Sequence, residues 1–526
     1  MSSTAVTVRC PVCGFDLPEE VRKAGASGPV FCPRPFCGVE VAVGAAERVR
    51  LRTFRLVSHS SCCVLPFSFL DEESGGPFDR LRDSGRWAER TFSLDNPQDV
   101  DRTEYFLPYV RRFLFPSLAG PAPASGGRRP AVPTCRHFTF DLGRLGKARP
   151  DGLPLTLYGR DSRKDLTFSH DLLLDKVELI VFSYRVGFLV LRVRCAEPDA
   201  TYFDQMNSLV SLRTIAPLYH GFEMPQLVAG EARFRVPQLL SFLLAEFASG
   251  GGLPTSPAEL PDKPPLPVKL VYDDRMIVYT FSCLDKETCL DDPKRCLALL
   301  DRATIINFDK ETPPPPPREG DEPDARAWLR SRWEGFSKDG GSLVVFNTDR
   351  FHERFLGTYH GTYYFDIFLL AALQRVTLLT LFERLSDIQG LVTGSRASRR
   401  QLRRVWLDLL FFKNQCWFSQ ITNRERGLVL WKRWQEVFES RTLFQEVNQQ
   451  SEELNDYLQN RTRERVERLV RLGGFLAAAV PAVLGLETLV GPHAWVAPVQ
   501  WGLLVALILG AGLFAWLFVY RPRDEV

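Results

Sequence analysis

The chain has 526 residues, of which 45% are hydrophobic and 25% are charged. Most of it is therefore ordinary globular material, and its length predicts roughly three domains. The net charge of +3 is too small to indicate a strongly charged partner. No basic segment with a following apolar core opens the chain, so we expect no secretory signal and a cytosolic N-terminal part.

The first 45 residues contain two cysteine pairs, each followed by a glycine: Cys10, Cys13, Cys32 and Cys37. Four thiolates in pairs about twenty residues apart are typical of a structural, tetrahedral Zn²⁺ site. The spacing predicts a zinc ribbon at residues 1–45 that depends on its metal to fold. Two disulfides or free thiols are the alternative, which a cytosolic location disfavours. Acidic residues balance the basic ones here, so nucleic acid is not an expected partner.

The pattern of residues 46–312 predicts a cytosolic domain of mixed α/β structure. The run "KVELIVFSYRVGFLVLRV" (176–193) indicates a β-hairpin, and "LVYDDRMIVYTFSCL" (270–284) indicates a second. Two stretches, at 209–219 and 236–248, are typical of helices on one face of the sheet. The cysteines of this region, including Cys62, Cys63 and Cys283, have no partner pair at metal-ligand spacing. They are expected to pack as small apolar residues.

No sequence motif for catalysis occurs: a His-Glu-x-x-His zinc motif, a phosphate-binding loop and a nucleophile elbow are all absent. This favours a binding or transport role over an enzyme. A proline-rich segment, 313–323, follows the α/β domain. It is expected to be a stiff linker, with recognition by a PxxP-binding domain as the alternative.

Residues 324–470 predict a helical region. Apolar residues recur every three or four positions over 363–388, and a second helix is indicated at 398–421, with Asn423 as the cap before the next. No proline occurs from Arg424 to Pro481, which predicts one unbroken helix of roughly 70–90 Å. Such a helix is typical of a stalk that packs against copies of itself; packing within its own chain is the alternative.

Two apolar runs, 472–490 and 495–520, end the sequence within the segment 471–526. Each has the roughly 20 residues that a membrane-crossing helix needs, although a buried helical hairpin passes the same test. Arginines precede the first run and follow the second, which places both termini in the cytosol. We therefore expect a multi-pass protein of the inner or plasma membrane. Glu487, near the outer end of the first run, is either a pore carboxylate or a group that reaches the interface.

The order of these parts resembles the CorA family of divalent-cation transporters: an α/β domain, a helical region, a long helix continuing into the first span, a short outer loop and a second span. The resemblance implies a homopentamer with an axial path for a divalent cation, and it makes Pro481 the mid-span proline, or hinge, of the pore helix. The family's Gly-Met-Asn signature is replaced by Gly491, Pro492 and His493, so magnesium selectivity is not implied.

Arginines before the first span resemble the family's basic collar: Arg465, Arg468 and Arg471. Contact with lipid phosphates is the other interpretation of these residues. Glu487, Gly491, Pro492 and His493 are the candidate pore residues. The sequence thus predicts an oligomeric, CorA-like membrane ion channel or transporter that is gated through its cytosolic domain. The alternatives are a membrane-anchored sensor or scaffold and a ligand-triggered, membrane-permeabilising defence effector.

Overall fold

The computed structural model describes thirteen stretches of the chain in full. They are residues 55–69, 77–119, 134–161, 166–183, 185–198, 200–217, 223–248, 253–262, 266–284, 325–329, 332–345, 355–390 and 396–453. Residues 30–31, 40–41, 351 and single positions between 456 and 506 are described as well. The chain divides into a sheet unit, residues 1–377 and 416–440, and a helical unit, residues 378–415 and 441–526.

The strands and helices have the following bounds. The strands are β1 Val30–Phe31, β2 Glu40–Val41, β3 Leu56–Ser68, β4 Trp87–Glu89, β5 Cys135–Phe140, β6 Leu153–Asp161, β7 Leu166–Phe182, β8 Val186–Cys195, β9 Gln226–Ala229, β10 Ala232–Arg235, β11 Lys269–Leu270, β12 Ile277–Leu284, β13 Ala325–Leu329, β14 Arg332–Ser337 and β15 Gly340–Val345. The helices are α1 Pro77–Asp83, α2 Pro97–Glu104, α3 Pro108–Leu114, α4 Tyr202–Leu212, α5 Val236–Leu243, α6 Leu356–Tyr359, α7 Phe365–Gly390, α8 Arg396–Gln415 and α9 Glu425–Val437, with a π-helix at His360–Tyr364 between α6 and α7.

The sheet unit is built on one large, mostly antiparallel sheet, which confirms a mixed α/β protein. Its main strand order is β10-β9-β6-β7-β8-β3-β12-β15-β14-β13, and among the described strands only the β12–β15 pair is parallel. The hairpin predicted at 176–193 is confirmed, since β7 and β8 pair up to Phe182 and Val186. The hairpin predicted at 270–284 is wrong: β11 and β12 each pair with β3, at different places along it.

Helices cover both faces of this sheet. Alternate residues of β3, such as Cys63 and Leu65, join an apolar core with α4 and α5. The intervening residues, such as Cys62, point to the other face, because successive side chains of a strand alternate. That second face lies under α2, α3, α7 and α9, and we call it the helix-covered face. Cys62, Cys63 and Cys283 are buried free thiols, as expected for packing residues.

The sheet extends beyond the proline-rich segment. Strands β13, β14 and β15 span residues 325–345 and continue the sheet next to β12. The sequence "GSLVVFN" (341–347) predicts a short strand, which β15 confirms, whereas β13 and β14 lie in a segment, 324–470, that was otherwise expected to be helical. Gly341 on β15 lies directly under α9, since a Cβ added there would come within 2.6 Å of the Trp434 ring. The last strands are therefore packed into the sheet unit.

The predicted helix from 363 is confirmed as α7. One helical stretch among the described residues, Leu356–Asp387, is apolar enough to cross a membrane, with a mean hydropathy of 1.7. Because 83% of its most apolar window is buried inside the protein, it has the features of a core helix. The two spans expected at 472–490 and 495–520 lie almost entirely outside the described residues.

The unbroken helix expected from Arg424 is wrong in its first part. Helix α9 ends at Val437, and Glu439 has a left-handed backbone with φ +50° that interrupts it. A new helix then runs through residues 440–453. Asn423 was predicted to cap this helix, but the cap position of α9 is Arg424. The Arg424 N–H donates to Thr422 Oγ1 at 3.1 Å.

The helical unit contains the end of α7, helix α8 and the helix from 441. Arg384 on α7 pairs with Asp408 on α8 at 3.2 Å, and Lys413 on α8 lies 6.0 Å from the ring centre of Phe444. Beyond 453, the described residues up to 474 are all helical and exposed. They are Asp456, Asn460, Arg463, Val466, Glu467, Val470, Arg471 and Gly474.

Candidate functional site on the helix-covered face

An ionic cluster crosses the helix-covered face of the sheet. Arg192 on β8 donates through Nε to Glu178 on the neighbouring strand β7, and Lys176 Nζ donates to the other carboxylate oxygen at 2.7 Å. Burial opposes ionisation of Glu178, but Arg192 and Lys176 outweigh it and hold its pKa below the ordinary value. The cluster therefore has two cationic groups around one carboxylate.

Arg192 also connects this cluster to the beginning of the long helix α7. Its NH1 group donates to the carbonyl oxygen of Gly361 at 3.0 Å, and its guanidinium lies 4.7 Å from the centre of the Phe365 ring. Gly361 belongs to the π-helix, in which Thr362 leaves helical dihedrals (φ −114°, ψ −106°). Helical irregularities of this kind often occur at functional sites.

A second buried ion pair joins α2 to the first turn of α7. Arg102 donates to both carboxylate oxygens of Asp366, with 2.6 Å between Nε and Oδ2. Burial alone would lower the pKa of Arg102, but Asp366 more than compensates and the pKa is raised. A paired guanidinium and carboxylate with two parallel bonds define position and direction, so this pair fixes the start of α7 on the sheet.

His360 lies between the ionic cluster and the next strands. Its ring stacks on Tyr279 of β12 with centroids 4.0 Å apart and planes 6° apart. Burial, with the nearby cations Arg192 and Arg332, lowers the pKa of His360 to about 3. The imidazole is therefore uncharged at neutral pH and acts here as a flat, buried aromatic group.

A cleft of about 510 Å³ opens at the beginning of β3, lined by residues of β3, β12 and α6. His59 in its wall accepts a hydrogen bond from the backbone N–H of Cys195 at Nε2, 2.9 Å away, which places a proton on Nδ1 in the neutral ring. Burial and the charge of Arg194 lower the pKa of His59 to about 4. Ser58 and Ser60 offer hydroxyl groups that suit a small polar ligand, whereas the His59 ring is turned to the other face of β3, toward the Cys195 N–H.

The thiols near this face are not activated. Burial raises the pKa of Cys62 to about 11, although Arg192 lies 3.6 Å from its sulfur. A protonated, buried thiol is a poor nucleophile and a poor metal ligand. Within the described stretches, the helix-covered face thus offers charge and hydrogen bonds for binding and holds no activated cysteine.

The predicted zinc ligands Cys10, Cys13, Cys32 and Cys37 lie outside the described residues. The described strands β1 and β2 flank the second pair, with Phe31 opposite Glu40 in an antiparallel register. Within the described part of the chain, no group of three or more His, Cys, Asp or Glu side chains could hold a metal ion.

The predicted pore residues also lie outside the described residues: Pro481, Glu487, Gly491, Pro492 and His493. The same holds for Arg465 and Arg468 of the basic collar. Arg471 is described: it is helical and exposed, and it pairs with Glu467 one turn earlier at 3.7 Å. A surface pair of this kind contributes little to stability.

Sequence reasoning missed the ionic cluster. Glu178 and Arg192 each interrupt a strongly apolar strand, and Asp366 opens an apolar helix. A charged residue inside an otherwise apolar element is a signal of a buried pair. The partners could not be assigned because Arg102 lies 264 positions from Asp366 along the chain.

Comparison with known proteins gives no relative: the chain matches no protein-family model, no curated protein and no solved structure.

Proposed function

We propose that this protein is an oligomeric membrane ion channel or transporter of CorA-like build, regulated through its sheet unit. The observation that carries the proposal is the helix after 440. Its described residues from 456 to 474 are all exposed, and they include Val466 and Val470, which are 52% and 67% exposed one helical turn apart. An exposed apolar stripe on a long helix is stabilised by pairing with an equivalent helix.

Helix α8 provides a second surface for association with another copy of the chain. Four large apolar side chains of α8 are exposed within two turns: Trp406, Leu407, Leu410 and Phe411. We call these four residues the α8 patch. Contiguous apolar patches on a soluble surface mark interaction sites. The helical unit also contains the exposed Val466 and Val470 of the following helix. A second copy of the chain could therefore cover both the α8 patch and these valines.

The C-terminal segment supports a membrane location. Of its two apolar runs, the second has described residues that are helical and exposed, with Trp501 67% exposed and Val505 50% exposed. Such side chains are stable in a lipid environment, and tryptophan favours the membrane interface. Both termini would be cytosolic. Two helices per chain cannot enclose a pore, so conduction requires several copies, and a pentamer is the family precedent.

Regulation would pass through α7. Residues 365–377 of this helix belong to the sheet unit and residues 378–390 to the helical unit. Its first turn is held by Asp366 to Arg102, and the preceding π-helix is held by Gly361 to Arg192. A ligand that alters either contact would act on the start of a continuous helix. The equilibrium between two arrangements of that helix would then shift by the ligand's difference in affinity.

We also propose a structural Zn²⁺ bound by Cys10, Cys13, Cys32 and Cys37. The pairing of β1 with β2 supports this, because it brings together the two ends of the segment that contains Cys32 and Cys37. Cys32→Ser should reduce the metal content of the purified chain by about one zinc. Elemental analysis of the full chain measures this, with Cys283→Ser as the control that keeps its zinc. A wild-type chain without zinc would contradict the site.

The main experiment uses the full chain purified in detergent and reconstituted into liposomes. We expect a ring-shaped oligomer by electron microscopy and a flux of Mg²⁺ or another divalent cation into dye-loaded vesicles. Val466→Glu with Val470→Glu should dissociate the oligomer and abolish flux, because buried like charges repel. Val466→Leu with Val470→Leu, which keeps the apolar stripe, should keep both.

Three outcomes separate this proposal from its alternatives. A monomer, or an oligomer without any flux, would leave a membrane-anchored sensor or scaffold. Large, unselective leakage that requires an added ligand would indicate a membrane-permeabilising effector. Selective cation flux from a defined oligomer is the result that our proposal requires.

A further inference from the structure

The cleft at the beginning of β3 lies where the sheet opens. Strand β8 pairs with β3 only from Ser61 onward, so residues 58–60 have β12 on one side and no described strand on the other. Gly357 and Thr358 of α6 complete the wall. The cavity of about 510 Å³ between them lies within the usual range of small-molecule sites, roughly 300–1,000 Å³.

Two serine hydroxyls form the polar part of this wall. Ser58 and Ser60 are two positions apart on β3, so their side chains share one face of the strand at a distance of about 7 Å. Both residues are half-buried. A serine hydroxyl both donates and accepts hydrogen bonds. The pair therefore suits a ligand with two or more hydroxyl groups, since each of these also donates and accepts.

The rest of the wall is uncharged. Phe281, opposite Ser60 on β12, is buried, and a Cβ added at Gly357 would come within 3.0 Å of its ring. The lowered pKa of His59 keeps that side chain uncharged at neutral pH. None of the described residues that line the cleft carries a charge. A charged ligand would lose hydration here without contact with a lining counter-charge, so an uncharged ligand is favoured.

The wall of the cleft is connected to the π-helix at His360–Tyr364. The Thr362 hydroxyl donates to the carbonyl oxygen of Thr358 at 2.8 Å, and Thr362 is the residue that leaves helical dihedrals. The ring centre of Phe281 lies 5.8 Å from that of His360. A ligand in the cleft would therefore touch two residues, Thr358 and Phe281, that themselves contact the π-helix.

We propose that this cleft binds an uncharged ligand built on a hydroxylated ring, such as a sugar, and that the bound ligand holds the π-helix in place. A sugar ring has hydroxyl groups at its edge and C–H groups on its face. The hydroxyl groups match Ser58 and Ser60, and the C–H groups match the apolar surface of Phe281 and Gly357. Free sugars and the ribose of a nucleoside both present this chemistry.

Binding and its effect on the π-helix do not require the chain to conduct ions. Only the consequence for flux rests on the function proposed above. Both are therefore measured without flux, so that a failure of this inference is distinguishable from a failure of the proposed function.

The first test measures binding by the detergent-purified full chain with isothermal calorimetry. D-glucose and adenosine are titrated separately, and D-glucuronate, which adds a carboxylate to glucose, is the charged control. Binding of glucose, of adenosine or of both supports the site and distinguishes a free sugar from a nucleoside. Glucuronate should bind roughly tenfold more weakly than the uncharged probes. No heat from either uncharged probe up to about 10 mM, or equally tight binding of glucuronate, would overturn the proposal.

Variants locate the site. Ser60→Ala should weaken binding roughly three- to tenfold, as expected for the loss of a neutral hydrogen bond. Ser60→Leu fills the cleft and should abolish binding. Ser169→Ala, at an exposed serine of β7, is the matched control and should bind as the wild type does. Wild-type affinity in both Ser60 variants would overturn the assignment. If Ser60→Leu does not fold, Ser58→Ala combined with Ser60→Ala should weaken binding roughly ten- to a hundredfold.

The effect on the π-helix is measured by amide hydrogen exchange. Backbone amides of residues 360–364 should exchange roughly threefold or more slowly in the bound chain, because the ligand opposes local opening. Thr362→Val keeps the side-chain size and removes the bond to the Thr358 carbonyl. This variant should bind with nearly the wild-type affinity but protect these amides less. Unchanged exchange in the bound wild type would show that the cleft does not act on the π-helix.

Discussion

The sheet unit and the helical unit of this chain use charged and apolar residues in opposite ways. In the sheet unit, charged side chains such as Arg102 and Asp366 are buried and paired, on a sheet with apolar packing on both faces. In the helical unit, large apolar side chains are exposed, Trp406 and Phe411 at 42% and 51%. The first unit therefore pairs these charged groups within itself, and the second presents apolar groups that another molecule would cover.

This difference bears on where regulation and assembly reside. Buried ion pairs have definite geometry and respond strongly to loss of a partner, which suits a site that senses a ligand. Exposed apolar stripes contribute little to the folding of one chain and much to association. In our proposal the sheet unit would sense a ligand and the helical unit would hold copies of the chain together, and each role predicts a different response to mutation.

The largest expected effect comes from breaking the buried pair in the sheet unit. Asp366→Asn leaves Arg102 as a buried cation with a neutral partner, and we expect a loss of about 3–5 kcal/mol in the free energy of unfolding. Urea denaturation of the full chain measures it. Arg82→Ala is the control: Arg82 and Asp79 form a pair that is 58% exposed on both sides, so the loss should be about 0–1 kcal/mol. Equal effects would refute a special role for the buried pair.

The pH dependence of stability gives the next largest effect. Four described histidines of the sheet unit have lowered pKa values, first because of burial: about 4 for His59 and His137, about 3 for His360, and below the ordinary value for His170. In the unfolded chain their pKa is near 6.5, so the unfolded state binds more protons between pH 6.5 and 4. Stability is complete above pH 6.5 and falls as the pH decreases, by up to about 1.4 kcal/mol per unit for each histidine.

His360→Gln should remove one of these four contributions. Urea midpoints at several pH values between 7.5 and 4.5 measure the slope of stability against pH, and the variant should have a shallower slope. Glu178 does not contribute in this window. Its pKa is lowered in the folded state, so the stability that it contributes is lost only as the pH falls below about 4.5, the pKa of glutamate in the unfolded chain. An unchanged slope in His360→Gln would mean that this ring is protonated in the folded state.

The sequence predicted the elements of the sheet unit better than their pairing. The β7–β8 hairpin was predictable because its two runs are adjacent in the sequence and joined by a short turn. β11 and β12 are also adjacent, but β3 is 13 residues long and binds both along one edge. Pairing with a distant strand outweighed the local hairpin, and no local pattern contains that information.

The candidate site was less predictable than the fold. Glu178, Arg192 and Asp366 come from separate elements, and only the sheet register brings the first two together. The break at Glu439 was also not predictable from composition, since glutamate is a good helix former. The left-handed residue directly follows the last turn of α9, where the Phe438 N–H donates to Trp434 O at 2.9 Å.

Glu439 gives a smaller prediction, at the boundary in sequence between the two units. A left-handed backbone costs a residue with a Cβ about 1–2 kcal/mol, and glycine has no such cost. Glu439→Gly relieves this cost but also removes the exposed hydrogen bond from Lys338, which is 2.7 Å long. The net effect should be a stabilisation of about 0.5–1 kcal/mol, because an exposed ion pair contributes little. Lys338→Ala removes the same bond without relief of strain and should be neutral or slightly destabilising. Destabilisation by Glu439→Gly would show that the break requires glutamate.

The smallest expected effect on the stability of the single chain is in the α8 patch, and it is the most informative one for assembly. Leu410 is 39% exposed and its neighbour Leu409 is 5% exposed, so the two positions form a matched pair. Leu410→Glu should change the free energy of unfolding by no more than about 0.5 kcal/mol, as for other surface substitutions, and shift the purified protein toward smaller oligomers. Leu409→Glu should instead destabilise the chain by several kcal/mol because it buries a charge. Light scattering and urea denaturation on the same samples separate the two effects. If Leu410→Glu leaves the oligomer intact, the α8 patch is not the surface through which copies of the helical unit associate, and the exposed valines of the following helix would have to hold them together alone.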